Sequence, residues 1–312
     1  MKLYDYPDFS QDNPWQRKTI DTASPMPVLR SLAWRPPDDA ALIHVGWEHF
    51  FFKPCRTAPE AEARAHAVVA ALDQCRRRGV RILWTVHNLT AHAMPWKRAE
   101  QIVREGLAEH AAVVFLMSEK HRHLFPFIPA AKIAVVPHYV DENPYRSERV
   151  AVPARFGFFK FGALRNEHAR ELLEAVIASP RFVRYVSDEH APFECHGDDV
   201  IVRRRFTADE ALRYAAGSHF SLFIREPVLN SGVINFYWGS RLAVFHTPEA
   251  VRHIDLPPGM ERFAMTDTDL HPAHINDTLA ATPLPGDEMN GWLAERTPAR
   301  VSHRWWQAAL AA

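Results

Sequence analysis

The sequence has little of several features by which function is often recognised. It contains three cysteines in 312 residues, Cys55, Cys75 and Cys195, and they lie far apart. This number and spacing exclude a disulfide framework and a CxxC metal knuckle, and they suit a reducing cytosol. Glycine is scarce, with 12 residues, and no GxGxxG motif follows a predicted strand. The dinucleotide-binding fingerprint of Rossmann-type dehydrogenases is therefore missing.

Neither sign of charge is in excess, since 37 Lys and Arg residues balance 37 Asp and Glu residues. This neutrality argues against a dedicated nucleic-acid binder, so we expect no nucleic-acid partner. The apolar runs are far shorter than the roughly 20 residues that span a bilayer, and the first ten residues lack the apolar region of a signal peptide. We expect a soluble, cytoplasmic protein, and peripheral contact with the inner face of the cell membrane stays open.

Short apolar runs rich in β-branched residues alternate with amphipathic helices along the chain. This alternation predicts an α/β fold with doubly wound parallel sheets. Two capping boxes, Thr57 to Glu60 and Thr207 to Glu210, predict helix starts, and Gly79 predicts the end of the first of these helices. The predicted strands cover residues 41–45, 81–86, 111–117, 132–138, 156–161, 200–206, 219–224 and 242–245.

The length and the restart of this pattern after a polar, proline-containing stretch at 140–153 predict two domains. We expect a first Rossmann-like domain at 1–148, a second at 149–297 and a C-terminal helix at 298–312 that packs back on the first. Ligands of open α/β sheets bind beyond the carboxyl ends of the strands, so the residues that follow each strand are the candidates for a site.

In the second predicted domain, Asn230, Ser231 and Gly232 open a helix directly after a strand and a turn that contains Glu226. Exposed amides and a partial positive charge at such a helix start are suited to a phosphate or diphosphate. Asn230 or Ser231 is equally consistent with a simple helix cap. Glu226 at a strand end is suited to sugar hydroxyls, or it is a solvated carboxylate.

The second half of the chain resembles the donor half of a GT-B glycosyltransferase. The similarity lies in the order of three segments: FGALR at 161–165, VIVRRRF at 200–206, and the NSG-containing segment at 223–245. The NSG variant resembles bacterial enzymes of exopolysaccharide and capsular synthesis, including xanthan-type β-mannosyltransferases. The family's E-x7-E motif is broken, because Ile234 stands where its second Glu is expected, and His168 stands near the position of a family Lys.

The first half is similar to the same family in three short segments. These are HVGWEHFFF at 44–52, LWTVHNLTAH at 83–92 and VVPHYVDENPY at 135–145. The resemblance implies two Rossmann-like domains facing a cleft, with the C-terminal helix crossing back. It also implies transfer of a sugar from a GDP- or UDP-sugar, GDP-mannose among them, to a glycan or polyprenyl-linked glycan, without a cofactor or a catalytic metal.

The resemblance assigns expected roles to residues at the strand ends. Glu48 and His92 are the candidate bases that accept the proton of the acceptor hydroxyl, a role that applies only if the enzyme inverts the anomeric configuration. The acceptor- or substrate-binding candidates are Trp47, His87, Asn88 and His138. The donor-binding candidates are Gly162, Arg165, Arg204, Phe206, Glu226, Asn230, Ser231 and Gly232.

Three alternatives stay open at this point. The broken E-x7-E motif is consistent with a non-catalytic GT-B-like partner subunit. A Rossmann-type dehydrogenase is disfavoured by the missing glycine motif. Zinc binding by His44, Glu48 and His49, or by Glu119, His121 and His123, lacks the spacing of an HExxH motif.

Overall fold

The computed structural model describes residues 1–11, 13–91, 94–146, 155–160, 171, 182–187, 200–203, 207–224, 226–266 and 271–311. The chain divides into two compact units. The first consists of Met1–Tyr139 and Pro298–Ala312, and the second of Val140–Thr297. Each unit combines a parallel sheet with helices in the described residues, so the predicted α/β class is confirmed.

In the first unit, the described strands form a six-stranded parallel sheet in the order β2-β1-β3-β4-β5-β6. The helices are α1, which continues into a π-helical turn at Arg17–Asp21, then α2, α3 and the C-terminal helix α8. The strands are β1 Leu3–Tyr6, β2 Val28–Arg30, β3 Leu42–Val45, β4 Arg81–Thr85, β5 Val113–Leu116 and β6 Ile133–Val135, and the helices are α1 Pro14–Gln16, α2 Ala58–Arg77, α3 Lys97–His110 and α8 Pro298–Ala311.

Strands β3 to β6 lie where the apolar runs predict them, whereas β1 and β2 are not predicted. The β1 sequence LYDY places the charged residue Asp5 in the middle of a strand whose four residues are all buried. A search for short apolar runs therefore does not predict this strand. It forms because Asp5 finds partners on distant parts of the chain, as described below.

Helix α2 begins at the predicted capping box. The Thr57 side chain accepts a hydrogen bond from the backbone N–H of Glu60, and the Glu60 carboxylate accepts one from the N–H of Thr57. The chain leaves the helix through Gly79, whose φ of +82° favours glycine. The buried face of α2 is the predicted one: Ala61, Ala65, Val68, Leu72 and Cys75.

Helix α8 packs into the first unit, although it follows the second unit in the sequence. The Trp305 ring stacks on Phe115 of β5, with ring centroids 4.9 Å apart. The Trp306 indole N–H donates to the Ile20 carbonyl at 2.7 Å, and the Ser302 hydroxyl accepts from the N–H of Ala23 at 2.9 Å. These contacts join α8 to the segment that follows α1.

In the second unit, the described strands form a parallel sheet in the order β11-β10-β7-β8-β9. Its core packs the last two strands against the helices that flank them. The strand β8 is not among the predicted strands. The described elements are β7 Arg155–Lys160, β8 Phe182–Ser187, β9 Val200–Arg203, α4 Ala208–Gly217, β10 Phe220–Phe223, α5 Gly232–Gly239, β11 Ala243–His246, α6 Pro272–Ala281 and α7 Asn290–Ala294.

Gly239, at the end of α5, permits a close approach of the segment that enters the second unit. A Cβ atom at Gly239 would lie 2.0 Å from the Asp141 carbonyl oxygen. The Asn143 N–H donates to the Gly239 carbonyl at 2.9 Å, and the Asn143 side-chain amide donates to Leu212 and Ser240. This segment is therefore anchored on the second unit from Val140 onwards.

We expect Gly239→Ala to destabilise the protein by about 1–3 kcal/mol, because the added methyl group forces the Asp141 backbone away. Gly217→Ala is the matched control, since a Cβ at this position meets no atom within 4 Å. The measurement is urea unfolding of both variants and the parent protein. Equal unfolding midpoints for the two variants would contradict the proposed close approach.

Candidate functional site

The sequence-predicted residues of the first unit gather at the carboxyl edge of its sheet. Trp47 and Glu48 follow β3, His87 and Asn88 follow β4, and His138 comes three residues after β6. Because all described strands of this sheet are parallel, their carboxyl ends meet at one edge. His92 lies outside the described residues.

Aromatic stacking holds His87 in place. Its imidazole lies parallel to the Trp47 indole, with ring centroids 4.1 Å apart and an angle of 6° between the planes. The Trp15 ring meets His87 edge-on at 4.5 Å. His87 is 6% exposed, so its orientation is set by packing rather than by solvent.

Burial lowers the pKa of His87 well below its ordinary value of 6.5. Positive charge on His44, His138 or His49 lowers the pKa further, because like charges oppose protonation. The His87 imidazole is therefore neutral at pH 7. A neutral ring carries one N–H donor and one nitrogen acceptor, a combination suited to hydroxyl groups.

A buried polar network lies beside this stack. The strand register pairs Asp5 of β1 with His44 of β3. His44 Nδ1 lies 2.7 Å from Asp5 Oδ1, and His44 Nε2 lies 2.8 Å from the Thr85 hydroxyl at the end of β4. Asp5 also accepts hydrogen bonds from Gln16 at 2.9 Å and from Arg30 at 2.8 Å. The carboxylate thus links β1, β2, β3 and α1.

The network determines the chemistry of the His44 ring. A carboxylate only accepts hydrogen bonds, so Nδ1 carries a proton and donates to Asp5. In the neutral ring, Nε2 then accepts from the Thr85 hydroxyl. Asp5 and His44 are fully buried, and their hydrogen bonds connect β1, β3 and β4 at this edge of the sheet.

Glu48 lies in a 3-10 helix, Glu48–Phe52, directly after Trp47, and is 4% exposed. Its carboxylate accepts a hydrogen bond from Arg104 Nε at 2.7 Å, and Arg104 also donates to the carbonyls of Asn88 and Leu89. Glu100 accepts from the N–H of Ala91 at 2.8 Å. Arg104 and Glu100 of α3 therefore fasten the loop that follows β4, and Glu48 ties the 3-10 helix after β3 to the same arginine.

His138 and Asn88 are half-buried at the same edge. The His138 ring nitrogen Nδ1 lies 2.7 Å from the carbonyl oxygen of Tyr139, and the two rings contact each other at 4.8 Å. Both residues thus lie where the strand-end prediction places them.

In the second unit, Ser231 is the N-cap residue of α5 and is 7% exposed. Unlike Thr57 and Thr207, its side chain makes no capping hydrogen bond. Simple capping therefore does not account for this hydroxyl. A Cβ at Gly232 would meet no atom within 4 Å, so the first turn of the helix lies beside open space.

Glu226 is exposed in the loop between β10 and α5, and Asn230 is half-buried in the same loop. Ile234, at the position where the E-x7-E motif has its second Glu, is fully buried in the core of the second unit. Four of the donor-binding candidates, Gly162, Arg165, Arg204 and Phe206, lie outside the described residues.

Within the described ranges, no three His, Cys, Asp or Glu side chains are arranged to hold a metal ion. No helix in the same ranges is long and apolar enough to cross a membrane.

The chain matches no known family model and no curated protein. Its structure is similar over the full length to HepE of Anabaena in complex with UDP and glucose, with a TM-score of 0.66 and 11% identity, covering 100% of this chain and 99% of that one. The chain has the GT-B fold. The GT-B fold that the sequence resemblance implied is thus confirmed.

Two further structures share the fold. An E. coli trehalose-6-phosphate protein bound with UDP-2-fluoro glucose is 10% identical, with a TM-score of 0.59, covering 88% of this chain and 74% of that one. Sucrose-phosphate synthase of Thermosynechococcus elongatus is 14% identical, with a TM-score of 0.53, covering 87% and 71%. Identities this low establish the fold alone.

The residues that support the site were missed in the sequence. Asp5, Gln16 and Arg104 are polar residues that look solvated in the sequence. The partners of Asp5 and Arg104 include His44 and Glu48, which lie 39 and 56 positions away. A single signal was available: α3 buries Glu100 and Arg104 on the face that carries Val103 and Leu107. Charged residues at apolar positions of a helix indicate buried pairs.

We expect Thr85→Val to lower the free energy of unfolding by about 1–3 kcal/mol, because it removes the hydroxyl that pairs with His44 Nε2 in a buried site. Thr85→Ser keeps the hydroxyl and serves as the control. Chemical denaturation measures both. A valine variant as stable as the serine variant would show that the hydroxyl contributes nothing.

The lowered pKa of His87 also predicts a pH dependence of stability. As the pH falls below about 6.5, the unfolded chain binds a proton at His87 that the folded chain does not bind, so the stability decreases, by at most about 1.4 kcal/mol per pH unit. We expect His87→Gln to show a smaller loss of unfolding free energy between about pH 7 and pH 5 than the parent. The control His303→Gln alters an exposed residue and should keep the parent's slope. Identical slopes in all three proteins would exclude a neutral, buried His87.

Proposed function

We propose that this protein is a glycosyltransferase that moves a sugar from a nucleotide sugar to a saccharide acceptor. The observation that carries the proposal is the full-length similarity to a GT-B protein that holds UDP and glucose. Two features of the chain's own residues also support it. Helix α5 starts at Ser231 and Gly232 without a capping hydrogen bond from the Ser231 side chain, and Glu226 is exposed in the loop before this helix.

The reaction displaces a nucleoside diphosphate at an anomeric carbon. Negative charge grows on the diphosphate as its bond to the sugar breaks, and the N-terminal amides of α5 would stabilise this charge. Glu226 would accept hydrogen bonds from sugar hydroxyls. Gly162, Arg165, Arg204, Phe206 and Asn230 complete the proposed donor site.

In the first unit, Trp47, His87, Asn88 and His138 would position the acceptor. Inversion at the anomeric carbon requires a base for the acceptor proton. Because the Glu48 carboxylate is paired with Arg104, we assign Glu48 a positioning role on the loop after β4. The proton-accepting role then falls to His92 in this proposal.

We further propose that the donor carries a hexose. Of the two candidate nucleotides, we favour UDP over GDP because the similar structures hold UDP or a UDP-sugar. The acceptor would be a glycan or a polyprenyl-linked glycan of a bacterial surface polysaccharide, as in xanthan-type enzymes. Lys97 and Arg98 are exposed beside Trp96 at the start of α3, a combination suited to a membrane surface.

A second candidate is a non-catalytic GT-B-like partner subunit. The observation that favours it is the burial of Ile234 in the core, because no carboxylate stands there to hold the nucleotide ribose. A partner subunit of this kind would bind no nucleotide sugar and release no nucleotide.

Nucleotide binding decides between the two candidates. We expect UDP at about 100 times its dissociation constant to raise the unfolding free energy by about 2.7 kcal/mol, with GDP as the parallel arm. Thermal shift measures the binding, and release of nucleotide from the corresponding sugar nucleotide measures turnover. The stabilisation should be the same with EDTA. No shift with any nucleotide would favour the partner subunit.

Glu226→Ala is the variant that tests the donor site. We expect it to weaken binding of the UDP-sugar about tenfold while leaving UDP itself nearly unaffected, because Glu226 is assigned to the sugar hydroxyls. Glu249→Ala, which also removes an exposed carboxylate of the second unit, is the control. Equal binding of the UDP-sugar by both variants would remove Glu226 from the site.

A further inference from the structure

The first unit contains a cavity of about 480 Å³ that the proposed acceptor residues do not line. Its aromatic lining comes from Tyr6 at the end of β1, Trp34 after β2 and Phe50 after β3. Three cations, Arg35, Lys53 and Arg64, line the same cavity and are exposed. The volume lies within the range of about 300–1,000 Å³ that is usual for small-molecule sites.

The three cations are not neutralised by the protein. In the part of the chain that the structure describes, none of them forms an ion pair, whereas Arg30 and Arg78 of the same unit pair with Asp5 and Asp38. The Lys53 ammonium lies 3.5 Å from the centroid of the Phe50 ring. Arg64 donates through Nε to the carbonyl of Phe51, which leaves its remaining N–H groups for a ligand.

The aromatic residues of the cavity pack on one another and on Phe51. Tyr6 contacts Trp34 edge-on at 5.3 Å and stacks on Phe51 at 4.8 Å, and Trp34 meets Phe51 at 5.1 Å. Burial raises the pKa of Tyr6 to about 12, so its phenol stays neutral. Tyr6 is 1% exposed and therefore supports Trp34, whose partly exposed ring can receive a flat apolar face such as that of a sugar ring.

We propose that this cavity binds a saccharide that carries an anionic group, either a phosphate or a carboxylate. The partly exposed Trp34 ring would contact the apolar face of the sugar ring, and the cations would form charge-assisted hydrogen bonds with the anion. A neutral saccharide would form none of these charge-assisted hydrogen bonds.

The cavity adjoins the candidate site through contacts within the first unit. The Gly46 N–H donates to the Tyr6 carbonyl at 2.9 Å, directly before Trp47. Phe9 contacts both the candidate site and the cavity lining: its ring centroid lies 5.0 Å from that of Trp47 and 4.2 Å from that of Phe50. Under the proposed function, on which this step rests, the ligand is the acceptor, and its anionic group distinguishes it from neutral glycans.

The test measures binding of a hexose phosphate, a hexuronic acid and a neutral hexose to the full chain by titration calorimetry. We expect the phosphate, the carboxylate or both to bind, and the neutral hexose to bind at least about tenfold more weakly. The double variant Arg35→Ala/Lys53→Ala should lose about tenfold in affinity for the anionic sugar. Both side chains are exposed, so the variant should fold.

Arg56→Ala is the matched control, because Arg56 is an exposed cation of the same segment that does not line the cavity. A repeat titration in the presence of saturating UDP separates this cavity from the proposed donor site. Binding that UDP abolishes, or that the double variant leaves unchanged, would overturn the inference.

The same measurements separate the two proposals. If UDP binds and no anionic saccharide does, the cavity assignment fails and the proposed function stands. If the anionic saccharide binds through Arg35 and Lys53 and no nucleotide binds, the cavity assignment stands and the proposed function fails.

Discussion

The Asp5 carboxylate is fully buried and is contacted by three side chains from different parts of the first unit, His44, Gln16 and Arg30. A buried charge is costly unless hydrogen bonds compensate it, so the fold of this edge has to bring these partners together. Once they are in place, His44 is held in one orientation against Thr85. This arrangement fixes the positions of the residues that follow β3 and β4.

The sequence allowed prediction of the elements whose burial follows a periodic apolar pattern. The buried face of α2, both capping boxes and strands β3 to β6 are of this kind. Strand β1 was not predicted because its stability depends on Asp5, a residue whose partners lie up to 39 positions away. Pairing at that distance is a property of the folded topology, which a local window of sequence does not contain.

The same distinction applies to the candidate site. Trp47, His87 and Asn88 were predictable, because they follow strands and the carboxyl ends of parallel strands form one edge. The ion pair between Glu48 and Arg104 was not predictable, since it depends on how α3 packs beside the sheet. Under the proposed function, this pairing is the reason why we assign Glu48 to positioning its neighbours rather than to accepting the proton.

Helix α8 also bears on how the chain reaches its folded state. Its Trp305 ring contacts both Phe115 and His44, and Trp306 is tied to Ile20, so the last segment of the described chain completes the core of the first unit. During synthesis, the residues of the second unit emerge from the ribosome before this helix does. The surface of β5 that Trp305 covers therefore stays uncovered until the residues of the second unit have been synthesised.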